Sequence, residues 1–451
     1  MSRFSLRSYR SVLTTLVLAA SFAMCGCTSN AQAPQTATPL RTALDDYIAR
    51  AEPAYQWEKT SERQIGKNHV TMLNVTSQTW QGIDWKHKVE IVKPEKIDFP
   101  GYALLYLSTT DSAFESILSQ SLAGQLGATV VHVMGMPNQP LWNMREDDLI
   151  AHSFTKYIET GDATWPLLLP MTKGAFKSME AVQEYTTQQN QPLNKFIVAG
   201  ASKRGWTSWL MGCIDTDNRV VGIIPVVYDN LDLNKQLPHQ FESWGEFSPM
   251  IADYTRRGLQ QQLSSPAGQV LTQIVDPYTY RARLTMPKLL VNGTNDPYWT
   301  TDALNLYWKD LPEPKATYYA PNSGHKLEDN QEKAFGAMVA WFRRVAGNNP
   351  VPTLNLSTTT ENGQAKFTLK ANGEVSRAVL WGTHSQTHDF RKSKWQAVPL
   401  QDEGNGTYSV TLPTGTDGRK IAAFAEIETS DKPAALRIST PITIVENKPA
   451  N

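Results

Sequence analysis

Ser202 follows an apolar run that stops at a glycine, and the residues around it are those a nucleophile requires. Phe196-Ile197-Val198-Ala199 reads as a buried strand, Gly200 to Gly205 as a sharp turn, and Trp206 to Ile214 as a helix. A serine on such a turn is held clear of the sheet, and the N–H of the next residue, Lys203, stands at the helix N-terminus where an oxyanion would form. Gly200 removes a β-carbon that would press on the serine backbone. Two further residues supply a proton relay. Lys288-Leu289-Leu290-Val291-Asn292 reads as a strand whose following loop carries Asp296, and Tyr318-Tyr319-Ala320 as a strand whose loop carries His325. Ser202 would then attack a carbonyl carbon and His325 would take and return its proton. Asp296 would fix the imidazole tautomer. Asp229, just past the strand ending at Val227, is the rival for the acid.

Those three residues need a sheet to bring them together. Apolar strands are expected at Val70 to Thr76, Lys88 to Val92, Ala103 to Leu107, Thr129 to Met134, Phe196 to Ala199, Val221 to Val227, Lys288 to Asn292 and Thr317 to Ala320. Helices are expected at Glu146 to Ile158, Thr172 to Thr187, Trp206 to Ile214, Asp302 to Leu311 and Asp329 to Val345. Hairpin-like strands followed by strand–helix–strand units imply a mostly parallel sheet covered on both faces. With Ser, Asp and His in that order, each after a strand, the expected class is the α/β-hydrolase fold.

The second oxyanion donor should come from the loop after Ala103 to Leu107, which offers Ser108 and Thr109. Asn138 and Gln139, in the loop after Met134, could touch substrate or close their own loop by side-chain bonds. Lys203 and Arg204 oppose the dipole of the helix they begin. They either hold an anionic group of the substrate or pair with a nearby acid. An insertion between Asn230 and Arg283, rich in Phe241, Trp244, Phe247, Met250 and Tyr254, is expected to cap the site, with Trp244 as a substrate contact. Spacings around His132, His152 and His239 match no metal site, and there is no phosphate-binding glycine loop, so no metal or cofactor is expected.

The chain has 451 residues, ordinary hydrophobic content and a formal charge of zero, which gives no reason to expect nucleic acid as a partner. Arg3, Arg7 and Arg10 precede the apolar stretch Val12 to Ala23, a targeting segment. Gly26-Cys27 then offers a lipidation site, and 28–39 reads as a flexible tether. A lipid-anchored place in the periplasm or at the outer membrane is expected. Only Cys213 remains within the fold. A boundary at Gly347 to Pro352 precedes short alternating segments over 351–447, expected to be a fibronectin- or immunoglobulin-like β-sandwich. There Trp381 or Trp395 would contact carbohydrate or pack on the first domain, expected over 40–348.

Several separated stretches carry a resemblance to a known family. They are Met136-Pro137-Asn138-Gln139-Pro140-Leu141, Trp165 to Met171, Gly200 to Trp206, Asp276-Pro277-Tyr278-Thr279-Tyr280, Met286-Pro287-Lys288 and Pro321-Asn322-Ser323-Gly324-His325. Across about 40–345 the chain resembles the PhoPQ-activated pathogenicity-related proteins. The resemblance implies an exported hydrolase-like protein, linked by name to a virulence regulon, with no defined substrate. Two features depart from the usual elbow: Arg204 stands where a small residue is common, with the glycine one place later, and the oxyanion loop reads Ser108-Thr109-Thr110 instead of glycines. The reading from the residues is a serine hydrolase acting on an ester, amide or peptide through an acyl-enzyme. The alternative is a non-catalytic envelope or virulence factor that binds a peptide or glycan in the same cleft or on the sandwich.

Overall fold

The computed structural model describes residues 41–110, 112–414 and 418–446. The targeting segment, Cys27 and the tether lie outside them. Nine strands belong to the first part of the chain: β1 Gln56–Ile65, β2 Asn68–Trp80, β3 Ile83–Pro94, β4 Tyr102–Leu107, β5 Thr129–Val133, β6 Lys195–Ala201, β7 Val220–Val226, β8 Lys288–Gly293 and β9 Lys315–Ala320. They lie in the order β1-β2-β3-β5-β4-β6-β7-β8-β9. The first three pair antiparallel, as does β3 with β5; from β5 onward every neighbour is parallel.

The order dictates where the site falls. The chain leaves β4 for β5 on one side and returns to β6 on the other. The loops after β4 and β6 therefore diverge and leave a crevice at the strands' carboxyl ends. Strands β4 to β9 are almost wholly buried because helices cover both faces, which is why they read as continuous apolar runs. The helices are α1 Ala43–Ala49, α2 Ala113–Leu126, α3 Glu146–Thr160, α4 Leu168–Gln188, α5 Lys203–Ile214, α6 Leu233–Trp244, α7 Ala252–Thr255, α8 Leu259–Gln262, α9 Pro266–Val275 and α10 Gln331–Ala346. Trp209 of α5 and Phe176 of α4 share one buried cluster with Phe196 and Val198 of β6, while Trp341 and Phe342 of α10 share another with Ile197 and Leu289. The helix expected at Asp302 to Leu311 is instead two short 3-10 turns, Ala303–Leu306 and Trp308–Asp310.

The C-terminal strands are β10 Thr353–Glu361, β11 Gln364–Asn372, β12 Arg377–Ser385, β13 Gln396–Pro399, β14 Gln401–Gly404, β15 Thr407–Pro413, β16 Lys420–Glu428, β17 Arg437–Ser439 and β18 Thr443–Val445. One sheet is β10-β11-β15-β14. Phe367 and Leu369 of β11 join Leu380 of β12 and Ala423, Ala425 and Ile427 of β16 in one core, so the two sheets face each other. The second sheet does not stand alone. Its order β13-β12-β16-β17 continues into β9 through the pairing of Ser439 with Thr317, so one fourteen-stranded sheet runs across the boundary expected at 347–352. Tyr319 N–H donates to Ser439 Oγ at 3.2 Å beside that junction.

Candidate active site

Ser202 sits between β6 and α5 with φ 57° and ψ −121°, a backbone conformation rare outside glycine and typical of residues held for function. Its N–H is tied to the Val226 carbonyl at 2.8 Å and its own carbonyl starts α5, accepting from Trp206 N–H at 3.0 Å. A β-carbon on Gly200 would lie 2.6 Å from the Arg204 carbonyl oxygen, so the turn can close this tightly only with glycine there. Arg204 is accommodated: the close approach at this turn is absorbed by Gly200.

His325 Nε2 lies 3.0 Å from Ser202 Oγ, and His325 Nδ1 lies 2.7 Å from Asp296 Oδ2. The other Asp296 oxygen accepts from Tyr298 N–H at 2.9 Å, and the carboxylate is buried. The Tyr298 ring lies against the imidazole, tilted by 32° and 4.1 Å away between centroids. Asp229 is placed elsewhere. It accepts from the Tyr307 hydroxyl at 2.6 Å, and burial pushes its carboxyl up to about 7. The chain thus brings Asp296, and not Asp229, onto the histidine.

The acid and histidine loops are bound to each other. Asn295 N–H donates to the Ser323 carbonyl at 2.9 Å, and Asn322 N–H to Thr294 Oγ1 at 2.9 Å. A β-carbon on Gly293 would stand 2.4 Å from the Ser323 carbonyl, so glycine permits this approach. Both loops also lean on the C-terminal segment. Asn295 Nδ2 donates to the carbonyls of Phe390, Arg391 and Ser393 at 3.3, 3.2 and 2.8 Å. The Asn322 amide grips Trp395 at both ends, at 3.0 Å to its carbonyl and 2.7 Å from its N–H. Trp395 is buried with its ring 5.3 Å from Phe424 of β16, in a cluster shared with Tyr319 of β9, so it fills the seam between the two parts instead of facing a carbohydrate.

Of the two residues in the oxyanion loop, Ser108 is already engaged. Its N–H donates to the Val133 carbonyl at 2.9 Å, and its hydroxyl lies 2.7 Å from His132 Nε2 and 3.0 Å from the Thr110 carbonyl. Ser108 is therefore no oxyanion donor; it fastens the turn from behind, on a fully buried histidine. The neighbouring N–H, that of Thr109, makes no hydrogen bond among the described residues.

The basic pair after Ser202 faces the N-terminus of α3. Lys203 Nζ lies 2.7 Å from Asp147 Oδ2, and Arg204 Nη1 lies 2.8 Å from Glu146 Oε2. Burial pushes the Glu146 carboxyl up, but the charges of Arg204 and Lys203 and its hydrogen bonds hold it below its usual value. Gln139 brackets Glu146, donating to Oε1 at 2.8 Å and accepting from the backbone N–H at 2.8 Å. Asn138 donates to the Asp84 carbonyl at 3.4 Å. Arg204 and Gln139 are thus held on Glu146, and Asn138 ties its loop to the start of β3. Trp244 also departs from expectation: it lies under the Arg391 guanidinium, 4.0 Å from the ring centre, and takes no part in the pocket.

The pocket itself, a cleft of about 80 Å³, reaches from Ser202 under the insertion between Asn230 and Arg283. Its walls include Phe154, Trp206, Leu237, Leu263, Val275 and Trp299. Tyr254, one of the aromatics of the insertion, also lines it, as do Asp147, Tyr228 and Tyr298, which the sequence did not mark because they converge from three separate elements. The insertion lies over the pocket through leucines of α6 and α8 together with Ile251 and Tyr254; Phe241 and Met250 are exposed.

The strand order, with a mostly parallel sheet covered by helices on both faces, is that of the α/β-hydrolase fold. A sequence profile of the PhoPQ-activated pathogenicity-related proteins matches residues 44–391, and the chain belongs to that family. It is 30% identical over 458 residues to the autocrine proliferation repressor protein A of Dictyostelium discoideum, with 90% of this chain and 91% of that one covered. Among solved structures it is similar to acetyl xylan esterase 1 of a Thermoanaerobacterium species, with TM-score 0.46, 17% identity, and 67% of this chain and 94% of that one covered. A hyperthermophilic esterase of Pyrobaculum calidifontis gives 0.41 and 14%, with 67% and 87% covered.

Proposed function

We propose that this protein is an exported serine hydrolase that cleaves an ester or amide through an acyl-enzyme on Ser202. The observation that carries the reading is the continuous hydrogen-bonded line from Ser202 Oγ through His325 to Asp296, at 3.0 and 2.7 Å. In this reading Ser202 Oγ attacks the carbonyl carbon as its proton passes to His325 Nε2. The imidazolium is stabilised by Asp296 and returns the proton to the leaving group. Water then repeats the sequence on the acyl-enzyme. The N–H groups of Lys203 and Thr109 hold the oxyanion, the first at a helix N-terminus. Tyr298 lies against the imidazole and keeps bulk water from one of its faces.

The N-terminal arginines, the apolar run and Gly26-Cys27 support export and a lipid anchor, two acyl chains sufficing for stable attachment. The strand order β10-β11-β15-β14 facing β13-β12-β16-β17 supports an immunoglobulin-like sandwich, being A-B-E-D against C′-C-F-G in chain order. One observation favours a second reading. The Dictyostelium relative, matched along most of its length, is named as a repressor of proliferation, which suits a secreted factor that binds a partner without turning it over. A fluorophosphonate probe separates the two. Wild-type protein should label and Ser202→Ala should not, at unchanged melting temperature. Labelling that survives in the variant, or fails in the wild type, sinks the hydrolase reading.

A further inference from the structure

We infer that the group of the substrate beside the scissile bond is uncharged and mainly apolar, an aliphatic chain or ring larger than acetyl. This rests on Ser202 being the nucleophile and adds the class of substrate it serves. The pocket is a cleft that starts at Ser202 and runs between mainly apolar walls, the kind of concavity in which small organic groups are buried. Its walls are leucine, valine, isoleucine and aromatic carbon. The charges that reach it cancel, because Asp147 accepts from Lys203 Nζ at 2.7 Å and from the Tyr254 hydroxyl at 3.0 Å. Arg204 is held by Glu146, so neither cation of the elbow is left for a carboxylate or phosphate.

Two of the amides on the walls are committed as well. Gln236 donates to the carbonyls of Leu231 and Ala303 at 3.1 and 3.0 Å. Gln240 donates to the Tyr298 carbonyl at 2.9 Å and accepts from Ser248 N–H at 2.8 Å. A sugar ring here would lose water from several hydroxyls and regain few partners, a loss that discriminates strongly against it. Gln260 Oε1 is a buried polar atom of the wall without a partner, and Asn230 faces the pocket beside the Tyr228 hydroxyl, enough for one hydroxyl or amide on an otherwise apolar group.

The test uses p-nitrophenyl esters from acetate to octanoate and a matching series of alkyl acetates. In one series or the other, kcat/KM should rise at least about 50-fold with chain length, since each buried methylene is worth roughly fourfold. Leu237→Trp and Leu263→Trp, which fill the pocket, should each erase that rise. Binding of methyl octanoate to Ser202→Ala by calorimetry gives a readout independent of turnover. Activity that is flat or falls with length in both series, with no binding of methyl octanoate, overturns the inference and leaves the hydrolase standing. Binding of methyl octanoate by a protein that turns over no ester overturns the hydrolase reading and leaves the apolar ligand.

Discussion

Ser202, Asp296 and His325 were legible because each stands just past an apolar strand, and a strand end is written locally in the sequence. The partners of Arg204, Gln139 and Ser108 were not, because they come from α3 and β5 and no spacing along the chain connects them. Glu146 is the clearest case: one carboxylate takes the arginine that follows the nucleophile, the amide of Gln139 and part of the charge of Lys203. A basic pair at a helix start, costly by itself, is offset by an acidic pair at the start of another helix. The two aspartates can be ranked by experiment. Asp296→Asn should cut kcat by roughly 10⁴-fold while leaving the fold intact, through the wrong imidazole tautomer. Asp229→Asn retains an acceptor for Tyr307 and should change kcat less than tenfold. Steady-state kinetics on both variants decides, and the opposite ranking would move the acid to Asp229.

The strands and helices that were readable are those buried on two faces or along one stripe. Strand β1 was not, since nearly all of Gln56–Ile65 is exposed and polar and it is held mainly by pairing with β2. The stretch 302–311 has helical composition, yet the backbone leaves the helical region at Tyr307, φ −138° and ψ −11°, and two 3-10 turns result. Least legible was the part played by the segment 386–395. Read alone it is a polar loop between strands; in the fold its carbonyls and Trp395 receive the amides that flank the acid and the histidine. Asn322→Ala should therefore lower kcat by about tenfold or more with KM little changed, as should Asn295→Ala. Hydrogen exchange should rise in 386–395 and around His325 together. Loss of stability with kcat intact would make these asparagines purely structural.

Across the whole molecule the buried ionisable groups give a pH dependence whose sign can be worked out. Asp229 is raised by burial from 3.8 to about 7, as Glu426 is from 4.5 to about 7. A carboxyl with a raised folded value binds more protons in the native state, so its contribution is complete below about pH 4 and is lost as pH rises through 7. For Asp229 the span amounts to roughly 4 kcal/mol. His87 works the other way: burial lowers it to about 4, so its contribution holds above 6.5 and is lost as pH falls. Thermal unfolding at pH 6 and pH 8.5 should show the wild type losing more stability on the alkaline side than Asp229→Asn does; equal losses would refute the assignment. The continuous sheet bears on how such a molecule is made. A ribosome releases the nucleophile, acid and histidine in that order, but β17 and the clasp around Trp395 emerge last. A nascent chain cut short near residue 350 would hold all three reacting residues, with the outer edge of β9 bare and the histidine loop unsupported. On the proposed function, activity should thereby be deferred until synthesis is finished, and a product truncated near residue 350 should be silent instead of half-working.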